Sequence, residues 1–226
     1  MKLSKILVAA VAVMFGVGSF AMGAIAEDEA ESLSARQTIV NTTDRVMKII
    51  NDAQSYYDQE PERFYLEIGG VLDDVVDFNS FAYGVMGAYA SKKAYMALSS
   101  DEEKAAFKER MTRFSTTFRD GLVQTYAKGL LAFDGNKIDV LELSADAVAG
   151  GSVTVIQHIY GEAEKPYVVH YKMKQNGEGD WKLRNVTIEA INLGKIYQSQ
   201  FASSAKLYDQ DIDRVIDNWS VDPSAD

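Results

Sequence analysis

The chain has 226 residues, 33 of them acidic and 23 basic, and its formal net charge at pH 7 is −10. A surface this negative disfavours binding to nucleic acid and adsorption to anionic lipid headgroups. The length allows one domain with a substantial core. Because the sequence contains no cysteine, that core rather than disulfide bonds has to stabilise the fold.

The first 26 residues have the pattern of a cleaved signal peptide. Lys2 and Lys5 precede an apolar run that begins at Ile6, and an A-x-A cleavage pattern ends at Ala26. The apolar run is shorter than the roughly 20 residues of a spanning helix, which disfavours the alternative of a membrane anchor. We therefore expect cleavage after Ala26, a periplasmic location and a single domain over residues 27–226. Loss of two lysines and no acidic residue changes the net charge from −10 to −12.

The first half of the chain has apolar residues at helical spacing. Pro61 suits the first turn of a helix, Asp77 is a plausible N-cap, and Ser100 followed by Glu103 forms a capping box. Four helices are predicted: about Ser34 to Tyr56, Pro61 to Leu72, Phe78 to Tyr89, and Ser100 to about Leu130. The last of these is the clearest amphipathic helix in the sequence.

The second half changes to the alternating pattern of strands after a turn at Asp134-Gly135. Four strands are predicted: Lys137 to Leu143, Ser152 to Tyr160, Pro166 to Lys174, and Asp180 to Glu189. Two helices follow them, Asn192 to Ala205 and Asp209 to Trp219. Short loops make the strands antiparallel. The predicted fold class is α+β, with helices packed on one face of a curved four-stranded antiparallel sheet. An NTF2-like, cone-shaped arrangement of this kind encloses an internal apolar pocket.

Catalytic and metal-binding patterns are weak in this sequence. His158 and His170 lie in strands without a cysteine or a placed acidic ligand, so we interpret them as residues of the polar face. Asp73, Asp74 and Asp77 lack the glycine and distal glutamate of an EF-hand loop, which favours a solvated helix end. No nucleophile elbow, P-loop, zinc-protease motif or dinucleotide fingerprint occurs. We predict no catalytic residue, no metal and no cofactor.

Two glycines interrupt the apolar segment VVDFNSFAYGVMGAYA, which runs from Val75 to Ala90. Each glycine in a helix interior costs about 1 kcal/mol relative to alanine. Our hypothesis is that Gly84 and Gly87 let a neighbouring helix, a strand or an acyl chain approach this helix closely. A tight crossing of two helices without any ligand is the alternative.

Several short segments in collinear order resemble the MlaC family of periplasmic phospholipid-binding proteins, also called toluene-tolerance auxiliary proteins. They are VDFNSFAYGVMGAYA, SSDEEKAAFKERMTRFSTTFRDGLVQTYAKGLLAFDG, KPYVVHYKMK and WKLRNVTIEAINLGKIYQSQF, followed by a final amphipathic helix. The resemblance covers about Ser34 to Trp219. Two positions depart from the family pattern: Gln198 stands where an arginine is usual, and Ala190 where a glycine is frequent.

The resemblance implies a carrier that moves phospholipid between an outer-membrane lipoprotein complex and an inner-membrane ABC transporter with an MCE-domain ring. In such a protein the acyl chains lie in an apolar pocket and the headgroup is exposed; we expect a monomer with phospholipid as cargo and no catalysis. The residues predicted to line the pocket are Val75, Phe78, Phe81, Val85, Met86, Phe114, Phe118, Leu122, Tyr126, Val153, Val155, Val169, Tyr171, Met173, Leu193 and Tyr197.

Two other classes of protein stay open at this point. One is a cone-fold enzyme, an isomerase or hydrolase acting on an apolar small molecule, in which His170 or Asp139 would be the titratable group. The other is a periplasmic chaperone, which would expose its apolar surface rather than enclose it. Core stripes and pocket stripes look identical in sequence, so periodicity alone favours an ordinary packed core for the apolar residues above.

Overall fold

A computed structural model describes residues 27–131, 137–144, 147–161 and 164–221, with the backbone alone for residues 27–33. The predicted signal peptide and the turn at Asp134-Gly135 lie outside the described residues. The helices are α1 (Glu27–Ala53), α2 (Pro61–Val75), α3 (Phe78–Met86), α4 (Lys92–Met96), α5 (Asp101–Leu130), α6 (Leu193–Leu207) and α7 (Ile212–Asp217). The strands are β1 (Lys137–Val140), β2 (Ser152–Tyr160), β3 (Tyr167–Gln175), β4 (Trp181–Ile188) and β5 (Ile191–Asn192).

The helix starts follow the local capping signals. Pro61 opens α2, and the Asp77 carboxylate accepts a hydrogen bond of 2.8 Å from the amide of Ser80 at the start of α3. Ser100 and Glu103 form the predicted capping box before α5. Such caps satisfy backbone N–H groups that have no partner inside the helix, so they fix a helix start from sequence. The short helix α4 was not predicted.

One antiparallel sheet contains five strands in the order β1-β2-β3-β4-β5. The prediction of four strands was therefore wrong by one short strand, whereas the α+β class and the antiparallel pairing are confirmed. Glu189, which has a positive φ of 55°, lies between β4 and β5. The chain reverses there, so that Ile191 pairs with Ile188 and Asn192 pairs with Thr187.

The two faces of the sheet differ in burial. On β2, Val153, Val155 and Ile159 are buried, and on β3 the buried residues are Val169, Tyr171 and Met173. The alternate residues on these strands are exposed or half-buried. Since side chains alternate across a strand, the helices cover one face of the sheet only.

A β-bulge in β4 interrupts this alternation. Leu183 pairs with Met173 and Val186 pairs with Tyr171, so two residues of β4 lie opposite Lys172. An extra residue in one strand reverses which later positions face the core. Val186, three residues after Leu183, therefore shares its side of the sheet.

The buried apolar residues form two clusters. The larger cluster joins the sheet to α3, α5, α6 and α7. The smaller one lies between the C-terminal part of α1, α2 and the end of α5, and includes Val46, Phe64 and Leu130. This smaller cluster thus packs the hairpin of α1 and α2 against the end of α5. Within the ranges that the structure describes, none of the helices combines the length and apolarity that membrane crossing requires.

Candidate functional site

An apolar cavity lies where the hairpin of α1 and α2 meets the main core. The volume of the cavity, taken as the space open to the centre of a water-sized sphere, is about 120 Å³. Its walls come from α1, α2, α3, α5, α6 and strands β3 and β4: Ile39, Thr42, Thr43, Leu72, Val75, Val76, Phe78, Phe81, Leu122, Tyr126, Tyr171, Leu183, Val186, Ile188 and Leu193. No side chain in this set carries a charge at neutral pH, so the cavity suits a hydrocarbon group.

The structure brings seven of the sixteen predicted pocket residues to the wall of this cavity. They are Val75, Phe78, Phe81, Leu122, Tyr126, Tyr171 and Leu193. The other nine are buried but pack outside the cavity wall: Val85, Met86, Phe114, Phe118, Val153, Val155, Val169, Met173 and Tyr197. Lipid contact by any of the sixteen stays a prediction.

Aromatic packing explains why the two predicted phenylalanines of α5 lie away from the cavity. The ring of Phe114 lies 4.9 Å from that of Phe201 and 5.2 Å from that of Trp219, measured between centroids. Phe118 makes edge-to-face contacts with Phe81 and Tyr197, at 5.3 Å and 5.4 Å. Such pairs stabilise a packed core, so this part of the apolar stripe is filled by protein.

Sequence reasoning missed eight residues of the wall. Three of them, Ile39, Thr42 and Thr43, lie on α1, whose apolar spacing was recognised but not connected to the pocket. On β4, the bulge places Val186 and Ile188 on the same side as Leu183. Strict alternation along β4 could not have predicted that set. Leu72 and Val76 complete the missed residues.

A buried hydrogen-bonded network lies against the cavity wall. Gln157 is completely buried. Its Oε1 accepts a hydrogen bond of 2.8 Å from the hydroxyl of Tyr171, and its Nε2 donates one of 3.2 Å to Oγ1 of Thr43. The network joins α1 to β2 and β3. Because buried polar groups need partners, it fixes the side-chain amide of Gln157 in one orientation.

Two tyrosines of the cavity wall have a pKa above the ordinary value for tyrosine. Burial raises the pKa of Tyr126 to about 12, although the hydroxyl shares a short hydrogen bond with that of Tyr197. Burial also raises the pKa of Tyr171. Both side chains are therefore neutral hydroxyls at physiological pH, as an apolar binding site requires.

The wall segment between α2 and α3 is held by three aspartate–arginine pairs. Asp73 accepts two hydrogen bonds from Arg119 of α5, at 2.9 and 2.7 Å. Asp74 pairs with Arg45 of α1 at 2.7 Å, and Asp77 pairs with Arg184 of β4 at 2.9 Å. The acidic cluster thus links this segment to three other elements. Among the residues whose placement is described, no group of three or more metal-binding side chains occurs.

The candidate catalytic residues lie on the other face of the sheet. Asp139 pairs with His158 across β1 and β2, and His170 pairs with Ile156 across β2 and β3. These positions alternate with the buried ones, so their side chains point away from the cavity side. The Asp139 carboxylate binds Lys137 at 2.5 Å.

One solved structure of similar fold is that of a phospholipid-binding protein. A phospholipid-binding protein from Ralstonia solanacearum, solved in complex with a phospholipid, superposes with a TM-score of 0.63 over 81% of this chain and 93% of that one. Since the two sequences are 17% identical, this similarity concerns the fold.

The sequence itself matches one family over most of its length. The toluene tolerance protein ttg2D of Pseudomonas putida is 29% identical over 182 residues, which cover 80% of this chain and 78% of that protein. A family model described as MlaC protein matches residues 40–221. That match spans the second half of α1, all later helices and strands, and the whole cavity wall except Ile39, and the chain therefore belongs to the MlaC protein family.

Proposed function

We propose that this protein is a periplasmic phospholipid carrier. The acyl chains lie in the apolar cavity between the α1–α2 hairpin and the sheet, and the headgroup stays in solvent. The cargo passes between an outer-membrane lipoprotein complex and an inner-membrane ABC transporter with an MCE-domain ring. The uncharged wall of the cavity carries this proposal, with support from the lipid-bound relative of the same fold.

The energetics of lipid transfer require such a wall. Each buried methylene contributes about 0.8 kcal/mol, so two ordinary acyl chains represent on the order of 20 kcal/mol of transfer free energy. A carrier can move them through water only if it offers a comparable hydrocarbon environment. Phe78, Phe81 and Leu122 provide that surface without demanding hydrogen-bond geometry. Recognition of the headgroup would then be loose.

The cavity has to widen to hold a complete lipid. Its volume of about 120 Å³ is close to ten times the minimum of roughly 10–15 Å³ for a single water, but two acyl chains need more. The extra space would come from movement of the α1–α2 hairpin, which forms one side of the cavity wall. A cone-shaped, NTF2-like fold suits this proposal. A cavity that is closed at one end would enclose the acyl chains, and its open end would leave the headgroup in solvent.

Two rival functions have less support. An enzyme would need a titratable group beside the bound apolar substrate, whereas Asp139 and His170 lie on the opposite face of the sheet. A chaperone would expose continuous apolar surface. The large exposed hydrophobic residues of the described chain lie on four different helices: Leu66, Tyr83, Met96 and Leu207.

Lipid extraction from purified variants tests the proposal. Val186 lines the cavity and is half-buried, so Val186→Trp would fill the cavity from its rim. Thr187 is the next residue of β4, pairs with His170 and faces the other side of the sheet. Thr187→Trp is therefore a matched control for the size of the new side chain. We expect diacyl phospholipid in wild type and Thr187→Trp, and a severalfold lower amount in Val186→Trp.

The measurement is solvent extraction followed by mass spectrometry, with circular dichroism to confirm that each variant is folded. Wild-type protein that contains no phospholipid, and takes up none from vesicles, would refute the carrier function. Equal phospholipid in the two tryptophan variants would place the acyl chains somewhere other than this cavity.

A further inference from the structure

Four residues of the cavity wall carry hydroxyl groups, and each of them has a hydrogen-bond partner within the protein. Thr42 donates to the carbonyl oxygen of Thr38 at 2.7 Å. Tyr171 donates to Gln157, and Tyr126 shares a hydrogen bond with Tyr197. The fourth hydroxyl, that of Thr43, behaves differently.

Thr43 accepts a hydrogen bond but donates none within the described part of the chain. Its Oγ1 receives the amide N–H of Gln157 at 3.2 Å. In the observed orientation of the amide, the oxygen of Gln157 accepts from Tyr171 and its N–H group faces Thr43. Thr43 is 5% exposed and lines the cavity, so its hydroxyl proton has neither bulk water nor a protein acceptor. A buried donor without an acceptor is unfavourable.

The position of Thr43 suggests which ligand group supplies the acceptor. Thr42, the preceding residue of the wall, is half-buried, so the cavity reaches the surface beside this turn of α1. A diacyl phospholipid whose headgroup is in solvent carries its ester carbonyls at the junction of headgroup and acyl chains. Those carbonyls are the strong acceptors closest to the hydrocarbon region.

We infer that the hydroxyl of Thr43, oriented by Gln157 and Tyr171, donates a hydrogen bond to an acyl ester carbonyl of the bound lipid. This inference rests on the proposed carrier function and narrows its cargo to ester-linked lipids. Gln157 and Tyr171 are positioning residues, because they act on the lipid through Thr43. An ether-linked lipid of the same chain length fills the cavity equally well but lacks the carbonyl oxygen.

A competition between two synthetic lipids tests the inference. Diacyl phosphatidylethanolamine and its di-O-alkyl analogue, with equal chain lengths, are offered in equal amounts to the delipidated protein, and native mass spectrometry gives the ratio bound. One hydrogen bond predicts a preference of about 2- to 10-fold for the ester lipid. Thr43→Val should abolish the preference and Thr43→Ser should retain it. Thr38→Val is the matched control and should also retain it, since Thr38 lies on α1 outside the cavity wall and its hydroxyl donates to the carbonyl oxygen of Ser34 at 3.0 Å.

The outcomes separate this inference from the carrier function itself. Binding of neither lipid would refute the carrier function. Equal binding of the two lipids by wild type would refute only the role of Thr43, and would mean that water takes its proton. Loss of the preference in Thr38→Val as well as Thr43→Val would likewise overturn it. The ratio of ester-linked to ether-linked lipid bound by the wild-type protein tests the inference even if Thr43→Val does not fold.

Discussion

The side-chain amide of Gln198 on α6 donates a hydrogen bond of 2.9 Å to the backbone carbonyl of Gly84 on α3. The same nitrogen lies 3.0 Å from the place that a Cβ atom on Gly87 would occupy. Gly87 ends α3 with φ of 57° and ψ of −119°, a conformation open to glycine. By contrast, nothing lies within 4 Å of a Cβ on Gly84. Close approach of a neighbouring helix is therefore confirmed at Gly87, whereas no protein atom comes close at Gly84, and approach of an acyl chain to either glycine stays a prediction.

Alanine substitutions at the two glycines should change stability in opposite directions. Gly87→Ala forces a strained backbone conformation and displaces Gln198, which should lower the free energy of unfolding by about 1–3 kcal/mol. Gly84→Ala removes the entropic penalty of glycine inside a helix and should raise the free energy of unfolding by about 0.5–1 kcal/mol. Urea denaturation measures both. A Gly84→Ala variant less stable than wild type would show that this position is not open.

The stability of the protein should fall in alkaline solution because of its buried tyrosines. Burial raises the pKa of Tyr126 to about 12, whereas a tyrosine in the unfolded chain has a pKa near 10. The unfolded state therefore loses its proton first, and the stabilisation present below pH 10 is lost as pH rises to about 12. We expect a slope of up to about 1.4 kcal/mol per pH unit for this residue.

Tyr126→Phe removes that contribution and should make the alkaline decline shallower. Free energies of unfolding in urea between pH 9 and 12 give the slopes of the two proteins. An unchanged slope in Tyr126→Phe would mean that this hydroxyl ionises equally easily in the folded and unfolded states.

An ion-pair network attaches α7 to the long helix α5 and should make the protein sensitive to acid. Asp213 binds Arg110 at 2.7 Å and Arg113 at 2.9 Å. Hydrogen bonds from Arg110 hold the pKa of the Asp213 carboxyl below its usual value. The Asp213 carboxylate therefore contributes its full stabilisation above the ordinary aspartate pKa near 4. That stabilisation is lost as the pH falls through the lower pKa that Asp213 has in the folded protein.

Asp213→Asn should lower the free energy of unfolding at pH 7 by about 0.5–1 kcal/mol, a modest effect because the carboxylate is nearly half exposed and screened. Asp44→Asn is a control at an exposed position with no ion pair within the described residues. A destabilisation by Asp213→Asn that persists unchanged in 1 M salt would contradict an electrostatic origin.

Release of lipid to membranes should depend on a docking partner. After removal of residues 1–26 the formal net charge is −12, which opposes approach to anionic vesicles. Fluorescent phospholipid on the carrier should therefore transfer slowly to anionic vesicles alone, and faster in the presence of a membrane complex that binds the protein. Rapid delivery to anionic vesicles at low salt without a partner would contradict this.

Local sequence signals were sufficient for the starts of α2, α3 and α5 and for the inner face of the central strands. The Asp77 cap and the Ser100–Glu103 capping box act within one helical turn, so their neighbours in sequence are their partners in space. Val153, Val155 and Val169 are buried as strand alternation predicted. The family resemblance was equally readable, because the order of short segments is a property of the sequence.

The wall of the cavity was decided by tertiary structure. Phe81 and Phe114 occur in the same kind of apolar helical stripe, yet Phe81 lines the cavity and Phe114 packs against Phe201 and Trp219. The bulge in β4 added Val186, and α1 contributed Thr43, whose partner Gln157 is more than one hundred residues away. The periodicity of apolar residues predicts which face of a helix or strand is buried. Whether that side meets another side chain or an open space depends on elements far apart in the sequence.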